Sequence, residues 1–224
     1  MSNVHRLPEG RPGDRQKAIN LPPVTAIIAA LLIGIHLLRE FLSPALDDQV
    51  VMNFALIPTR LTETPLSLGA VATLFTHMLL HGSWLHLLVN TGMLLAFAAG
   101  LERMLGAYRM LAIALISGLA GGLVHLVVYA HDGSPMLGAS GALSGLFGAM
   151  IYIMSTRQRG WRFLAGVSAL WLAINVVMGQ FGMPGLSNDG DVEIAWVAHV
   201  GGYVAGIAVI ALMTYWGRRN WRKS

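Results

Sequence analysis

One serine and one histidine sit in stretches of this chain that are otherwise apolar. Ser140 falls in Gly138-Ala139-Ser140-Gly141-Ala142-Leu143-Ser144-Gly145, and His199 in Ala198-His199-Val200-Gly201-Gly202-Tyr203-Val204-Ala205-Gly206. A third apolar stretch carries His77, His81, His86 and Asn90. A hydroxyl beside an imidazole makes a nucleophile and its base. The ring takes the hydroxyl proton as the oxygen attacks a carbonyl, then returns it to the leaving amine. The tetrahedral intermediate needs donors aimed at its oxyanion. His86 and Asn90, four apart, share a helix face and are suited to this. The backbone N–H of Ser140, at a helix start, has no intrahelical acceptor and is a further donor. No carboxylate stands one turn from His199, and the nearest upstream acid, Glu193, lies in or beside a loop. The residues therefore read as a dyad, with His199 oriented by packing.

Each of these residues also has a plainer reading. Serine and glycine in apolar helices most often serve packing, and an asparagine there most often bonds a neighbouring helix. His36 and His125 have no matching polar partners and read as structural, and His131 as a loop residue. A metal is the sharper competitor. His77 and His81 have the i, i+4 spacing of a zinc pair, but the zinc-protease motif requires Glu after the first His, where this chain has Met78. Both read instead as hydrogen-bonded structural groups, and neither a metal nor a cofactor is expected.

The elements that position these groups follow from composition. Of the 224 residues, 55% are hydrophobic and 12% charged, against about 25% charged in a soluble domain. Such a chain has too few charges to cover a water-facing surface, and the bilayer is its natural solvent. Six apolar stretches, 23–42, 78–100, 108–130, 138–156, 163–181 and 194–216, predict an all-α bundle of six spanning helices. The fourth is somewhat short for a span. The first is too long for a signal-peptide core and is expected to be retained. Residues 1–20 read as a flexible tail, 21–217 as the membrane domain, and 218–224 as a basic tail. Between the first two spans, Pro44, Pro58 and Pro65 oppose a continuous helix over 44–69. The pairs Gly141/Gly145 and Gly202/Gly206 are of the small-xxx-small kind that lets helices approach closely. No cysteine is present, which excludes disulfides and thiolate chemistry.

Charge placement predicts orientation. Of the 15 basic residues, all but Arg39 and Arg60 fall before span one, between spans two and three, between four and five, or after six. Asp47, Asp48, Glu63, Asp132, Asp189, Asp191 and Glu193 collect on the opposite side. Both termini are thus expected in the cytoplasm. The positive net charge is a membrane-orientation signature, and nucleic acid is not an expected partner. Spans two, four and six then run inward from outside, placing Ser140, His199, His86 and Asn90 in one outer layer.

These segments resemble the rhomboid intramembrane serine proteases. His86-Leu87-Leu88-Val89-Asn90 is similar to that family's His-x-x-x-Asn segment, and Glu102-Arg103-Met104-Leu105-Gly106 to its Glu-x-x-x-Gly turn. Gly138-Ala139-Ser140-Gly141 resembles the nucleophile motif, and Ala198-His199-Val200-Gly201-Gly202 the base motif. The resemblance extends over 23–216. It implies cofactor-free cleavage of transmembrane protein substrates, with Ser140 as nucleophile, His199 as base, and His86, Asn90 and the Ser140 amide on the oxyanion. It also implies a cap formed by loop 182–193 and a fifth span that moves to admit substrate. Two departures stand out. Ser144 replaces a tyrosine that in many members stacks on the histidine, and 44–69 lacks the Trp-Arg pair of many bacterial members. A proteolytically dead relative that only binds transmembrane clients would have lost the serine or histidine, and both are present. A transporter would call for an inverted repeat or an intramembrane acid, and neither stands out. A multi-pass protein of a bacterial inner membrane, surrounded by membrane lipids, is the expected setting. No sequence feature assigns an oligomeric state.

The orientation is directly testable, because a single introduced cysteine has no background. Ser140→Cys is expected to react with a membrane-impermeant thiol reagent from the non-cytoplasmic side. Labelling from the cytoplasmic side alone would reverse the topology.

Overall fold

The computed structural model describes residues 21–63, 67–181 and 195–221, without the side chains of 63 and 217–221. The tail 1–20 and the loop 182–193 lie outside the described residues. Within them the chain is helical. Its β structure is one isolated bridge, in which Leu56 and Met136 exchange both backbone hydrogen bonds at 2.9 and 2.8 Å. The helices are α1 (Pro23–Glu40), α2 (Pro44–Phe54), α3 (Pro58–Glu63), α4 (Leu68–Thr76), α5 (Trp84–Met93), α6 (Ala99–Leu105), α7 (Ala107–Val128), α8 (Ser140–Met154), α9 (Gly160–Phe181) and α10 (Trp196–Trp221). A π-helical turn, Leu94–Ala98, joins α5 to α6. Five segments are long and apolar enough to cross a membrane: Pro23–Glu40, Trp84–Leu105, Ala107–Val128, Ser140–Phe181 and Trp196–Trp216. The fourth has 42 residues and is interrupted at Gly160, whose φ of 76° ends one helix before α9 begins.

Several boundaries differ from the sequence expectation. The second span starts at Trp84 rather than 78. Leu80 is extended, and the Ser83 side chain caps α5 by accepting from the His86 N–H at 3.2 Å. A serine cap of this kind fixes a helix start. The region 44–69 is also not a plain connection, since it contains α2, α3 and the beginning of α4. Pro44 and Pro58 occupy first helical positions, where a fixed φ and a missing N–H favour a helix. The prolines that argued against one long helix thus start two short ones. At the other end, α10 continues to Trp221, so 218–221 belong to a helix rather than to a tail.

The centre of the bundle is α8, with ten of its 15 residues buried. It packs against α7 and α10 through glycine. A Cβ at Gly202 would collide with the Gly141 carbonyl oxygen, and one at Gly206 with that of Gly145. A Cβ at Gly145 would strike the Ser117 side chain of α7. These helices therefore touch backbone to backbone, as the small-xxx-small pairs predicted. Leu32, Leu101, Met110, Ile113, Leu143, Leu146 and Ile210 fill the adjoining core.

Two polar clamps fix the ends of α1. Buried Glu102 accepts from the Val24 N–H at 3.1 Å, the Thr25 N–H at 2.8 Å and the Thr25 hydroxyl at 2.7 Å. It satisfies donors that α1 cannot satisfy itself, and its charge suits a helix N-terminus. At the far end, Arg39 donates twice to Asp47, at 2.7 and 2.9 Å, and once to the His81 carbonyl at 2.7 Å. This ties α1 to α2 and to the segment leading into α5. Glu102→Ala is expected to lower unfolding stability by about 2–3 kcal/mol, because hydrogen bonds to a charged group are lost and buried donors are left unpaired. Reversible unfolding in detergent measures this, and unchanged stability would show the clamp to be idle.

Candidate active site

Ser140 is the first residue of α8, and the turn before it is built around Gly138. Gly138 has φ +123° and donates its N–H to the His77 carbonyl at 2.9 Å. An L side chain would be strained there. Its Cβ would also lie 2.8 Å from both Cε1 and Nε2 of His86. Glycine at 138 thus serves two purposes, turning the chain into α8 and letting the His86 ring lie against the approach to Ser140. His86 is the third residue of α5 and His199 the fourth of α10. The starts of α5, α8 and α10 therefore meet at one end of the bundle. His199 lies somewhat nearer its helix start than the sequence count placed it.

The contact between α8 and α10 brings the two reactive groups together. Nε2 of His199 lies 2.7 Å from Oγ of Ser140. Nδ1 lies 2.8 Å from Oδ1 of Asn175 on α9, and Nδ2 of Asn175 donates to the Trp171 carbonyl at 2.9 Å. These bonds determine the tautomer. With its NH2 committed to a carbonyl, Asn175 offers its oxygen to the ring, so Nδ1 carries the proton. A neutral imidazole protonated at Nδ1 has a bare Nε2, able to accept from the serine hydroxyl.

Asn175 was not among the residues singled out from sequence, which left His199 to be oriented by packing. A signal existed in an amide within an otherwise apolar stretch, but its partner lies 24 positions away on another helix. Ser144 is buried one turn on from Ser140, and among the described residues no aromatic ring packs on the His199 imidazole. The nearest aromatic cluster forms around Tyr203, stacked on Trp171 at 4.5 Å and 5.9 Å from Phe147.

The other polar residues are arranged as follows. Asn90 is buried one turn beyond His86, and its Nδ2 donates to the His86 carbonyl at 3.0 Å. In this state the amide is directed along its own helix rather than at Ser140. His77 is buried on a 3-10 turn, with Nδ1 2.8 Å from the Thr73 carbonyl. His81 follows that turn and packs edge-on to His86, with ring centroids 5.1 Å apart. The i, i+4 spacing of His77 and His81 therefore does not lie along one helix. His36 packs edge-on to Trp84 and His125 beside Tyr129, while His131 is exposed in a turn. Behind Ser140 is a cavity of about 10 Å³ lined by His77, Gly118, Gly122, Gly138 and Ala198, near the lower limit for a single water.

A rhomboid-domain family model matches residues 68–216, which takes in α4 to α10 and the whole of this site. The chain belongs to the rhomboid family. It is 28% identical over 193 residues to rhomboid protease GluP of Bacillus subtilis, covering 86% of this chain and 35% of that protein. It is 29% identical over 209 residues to rhomboid protease GlpG of Yersinia enterocolitica, covering 90% and 65%. With rhomboid-type serine protease 2 of Emericella nidulans the identity is 32% over 136 residues, covering 59% and 25%. The chain thus spans about a third of the length of GluP. The apolar segments and the rhomboid family together make this an integral membrane protein, and α1 to α3 lie ahead of the matched domain.

Proposed function

We propose that this rhomboid protein is an intramembrane serine endopeptidase that cuts transmembrane protein substrates in or near their spanning segments. The observation that carries the reading is the 2.7 Å contact between Ser140 Oγ and His199 Nε2. The ring nitrogen facing the hydroxyl is the one free to take its proton. In the first step Nε2 removes that proton as Oγ attacks the substrate carbonyl. The resulting imidazolium then protonates the departing amine, leaving an acyl-enzyme. Water then attacks the acyl carbonyl as Nε2 takes its proton, the C–Oγ bond breaks to release the carboxylic acid product, and the proton returns to Ser140 Oγ.

The oxyanion is assigned to the Ser140 N–H, His86 and Asn90. The amide of Ser140 belongs to the first turn of α8, where N–H groups lack intrahelical acceptors. The His86 ring lies against Gly138 on the approach to the nucleophile. Asn90 has a second amide hydrogen beyond the one given to the His86 carbonyl. The names of GluP, GlpG and the Emericella protein as proteases support the same chemistry.

The membrane arrangement in this reading has six spans. A 42-residue helix would be about 63 Å long, roughly twice the hydrocarbon core, so Ser140–Phe181 crosses twice and turns at Gly160. Both termini are then cytoplasmic, and the starts of α5, α8 and α10 lie toward the outside. From Ser140 to the turn at Gly160 the helix, continued by a π-helical turn over Ser155–Arg159, rises about 30 Å, one hydrocarbon thickness, which puts Ser140 at the outer boundary within reach of outside water. A bacterial inner membrane is the proposed location.

The test is cleavage of a model transmembrane substrate in proteoliposomes. Ser140→Ala and His199→Ala are each expected to abolish product while insertion and folding persist. Asn90→Ala is expected to slow cleavage without ending it, and His86→Ala to be at least as damaging, at about 10²–10³-fold for a lost oxyanion donor. Full activity in either dyad variant would remove the proposed mechanism. A folded wild-type protein that binds substrate but never cuts it would indicate a client-binding role instead.

A further inference from the structure

The helix α9 is the most weakly embedded of the long helices. Its covered side is only half-buried along its length, and of its 22 residues only Asn175 is buried. An apolar helix whose one buried side chain is a primary amide is an unusual arrangement. Burying an amide is costly unless its bonds are made, and both ends of this one are engaged. Nδ2 is held by the Trp171 carbonyl and Oδ1 by the His199 ring. The first bond commits the oxygen to the second.

From this geometry we infer that Asn175 is a positioning residue for His199, holding the proton on Nδ1 and the ring plane toward Ser140, so that the base is competent only while α9 is docked. The inference rests on the Ser140–His199 chemistry proposed above. Without the amide oxygen, nothing among the described residues specifies the tautomer. A ring protonated at Nε2 would face the serine with a donor rather than an acceptor. Ser144 is too short to brace the ring from one turn along α8. Among the described residues, a second polar link between α9 and α10 is the 2.7 Å bond between Ser168 and the Tyr203 hydroxyl, two turns from Asn175 and made to neither Ser140 nor His199. Docking of α9 and orientation of the base therefore meet at one side chain.

The experiment measures the rate at which a small fluorophosphonate labels Ser140 in the full-length protein in detergent. The labelled residue is identified by mass spectrometry, and folding is checked by thermal unfolding. A small probe needs no transmembrane segment to pass α9, so chemistry is read apart from substrate admission. Asn175→Leu, close in size, is expected to label roughly tenfold to a hundredfold more slowly, the worth of one buried hydrogen bond. Asn175→Asp keeps an acceptor oxygen and is expected to recover most of the rate. The acid limb of its pH profile should move upward, because a carboxylate at Nδ1 favours imidazolium and the base is lost at a higher pH. Among the described residues, the His86 ring of α5 lies against Gly138 on the approach to Ser140 and is unchanged between the two proteins. Ser168→Ala, which cuts the other bond between the same helices, is expected to label nearly as fast as wild type. Three results would each overturn the inference: Asn175→Leu at the wild-type rate, Asn175→Asp as slow as Asn175→Leu, or Ser168→Ala as slow as Asn175→Leu. If the wild-type protein is not labelled at Ser140, the dyad itself fails, and that outcome is distinct from the other three.

Discussion

Everything at the site depends on how closely α8 approaches α10. Side chains as short as serine and histidine reach each other across two helices only if the backbones nearly touch. Helices packed through ordinary side chains stand about 8–10 Å apart. Gly141, Gly145, Gly202 and Gly206 remove that spacer, and the carbonyl oxygens of Gly141 and Gly145 occupy the space that Cβ atoms on α10 would need. The gain is in dispersion contact rather than in water release, since lipid tails are as apolar as leucine. Ser140 and His199 lie near the starts of the two helices, at the same end as this contact. The 2.7 Å separation is thus a consequence of glycine placement along the two helices, beginning beside Ser140 at Gly141.

Such a contact explains proximity but not direction. An imidazole in an apolar surround has two nitrogens, and the chemistry requires a particular one to be bare. Each polar group in such a place must find its partner within the protein, because hydrocarbon offers none. The same accounting holds at both ends of α1. Glu102 is buried because the start of α1 presents it with donors, and Arg39 is satisfied by Asp47 and a carbonyl at the other end. At His199 the accounting extends from Ser140 through the ring to Asn175 and on to the Trp171 carbonyl, so each bond fixes the polarity of the next.

How much of this the sequence discloses depends on the range of the interaction concerned. The apolar stretches, the glycine pairs and the grouping of Ser140, His199 and His86 follow from composition and spacing over a few turns. The helix starts were less legible. Met78, Leu79 and Leu80 carry the apolar character of the second span back to 78. A local serine cap at Ser83 and an extended Leu80 nevertheless end that continuity. The prolines at 44 and 58 oppose one long helix, yet the same ring that breaks a helix interior initiates a helix at its first turn. Asn175 was the least visible of all. Its role requires that α9 and α10 be placed side by side, and no local pattern encodes that pairing.

The contrast between α8 and α9 has a further consequence. α8 is enclosed on most sides, so Ser140 and its helix-start amide belong to the most buried helix of the bundle. α9 contributes one buried group, and the rest of its surface is exposed or only partly covered. Motions of a membrane bundle should concentrate where the least packing is lost, since elements with few buried contacts open at the lowest free energy. A displacement of α9 would leave Ser140, its amide and His86 in place, because none of them is carried by that helix. What it would remove is the acceptor on Nδ1. The architecture therefore separates a closely packed part, which carries Ser140 and the His86 ring beside it, from a loosely packed helix, which carries the oxygen facing Nδ1 of His199.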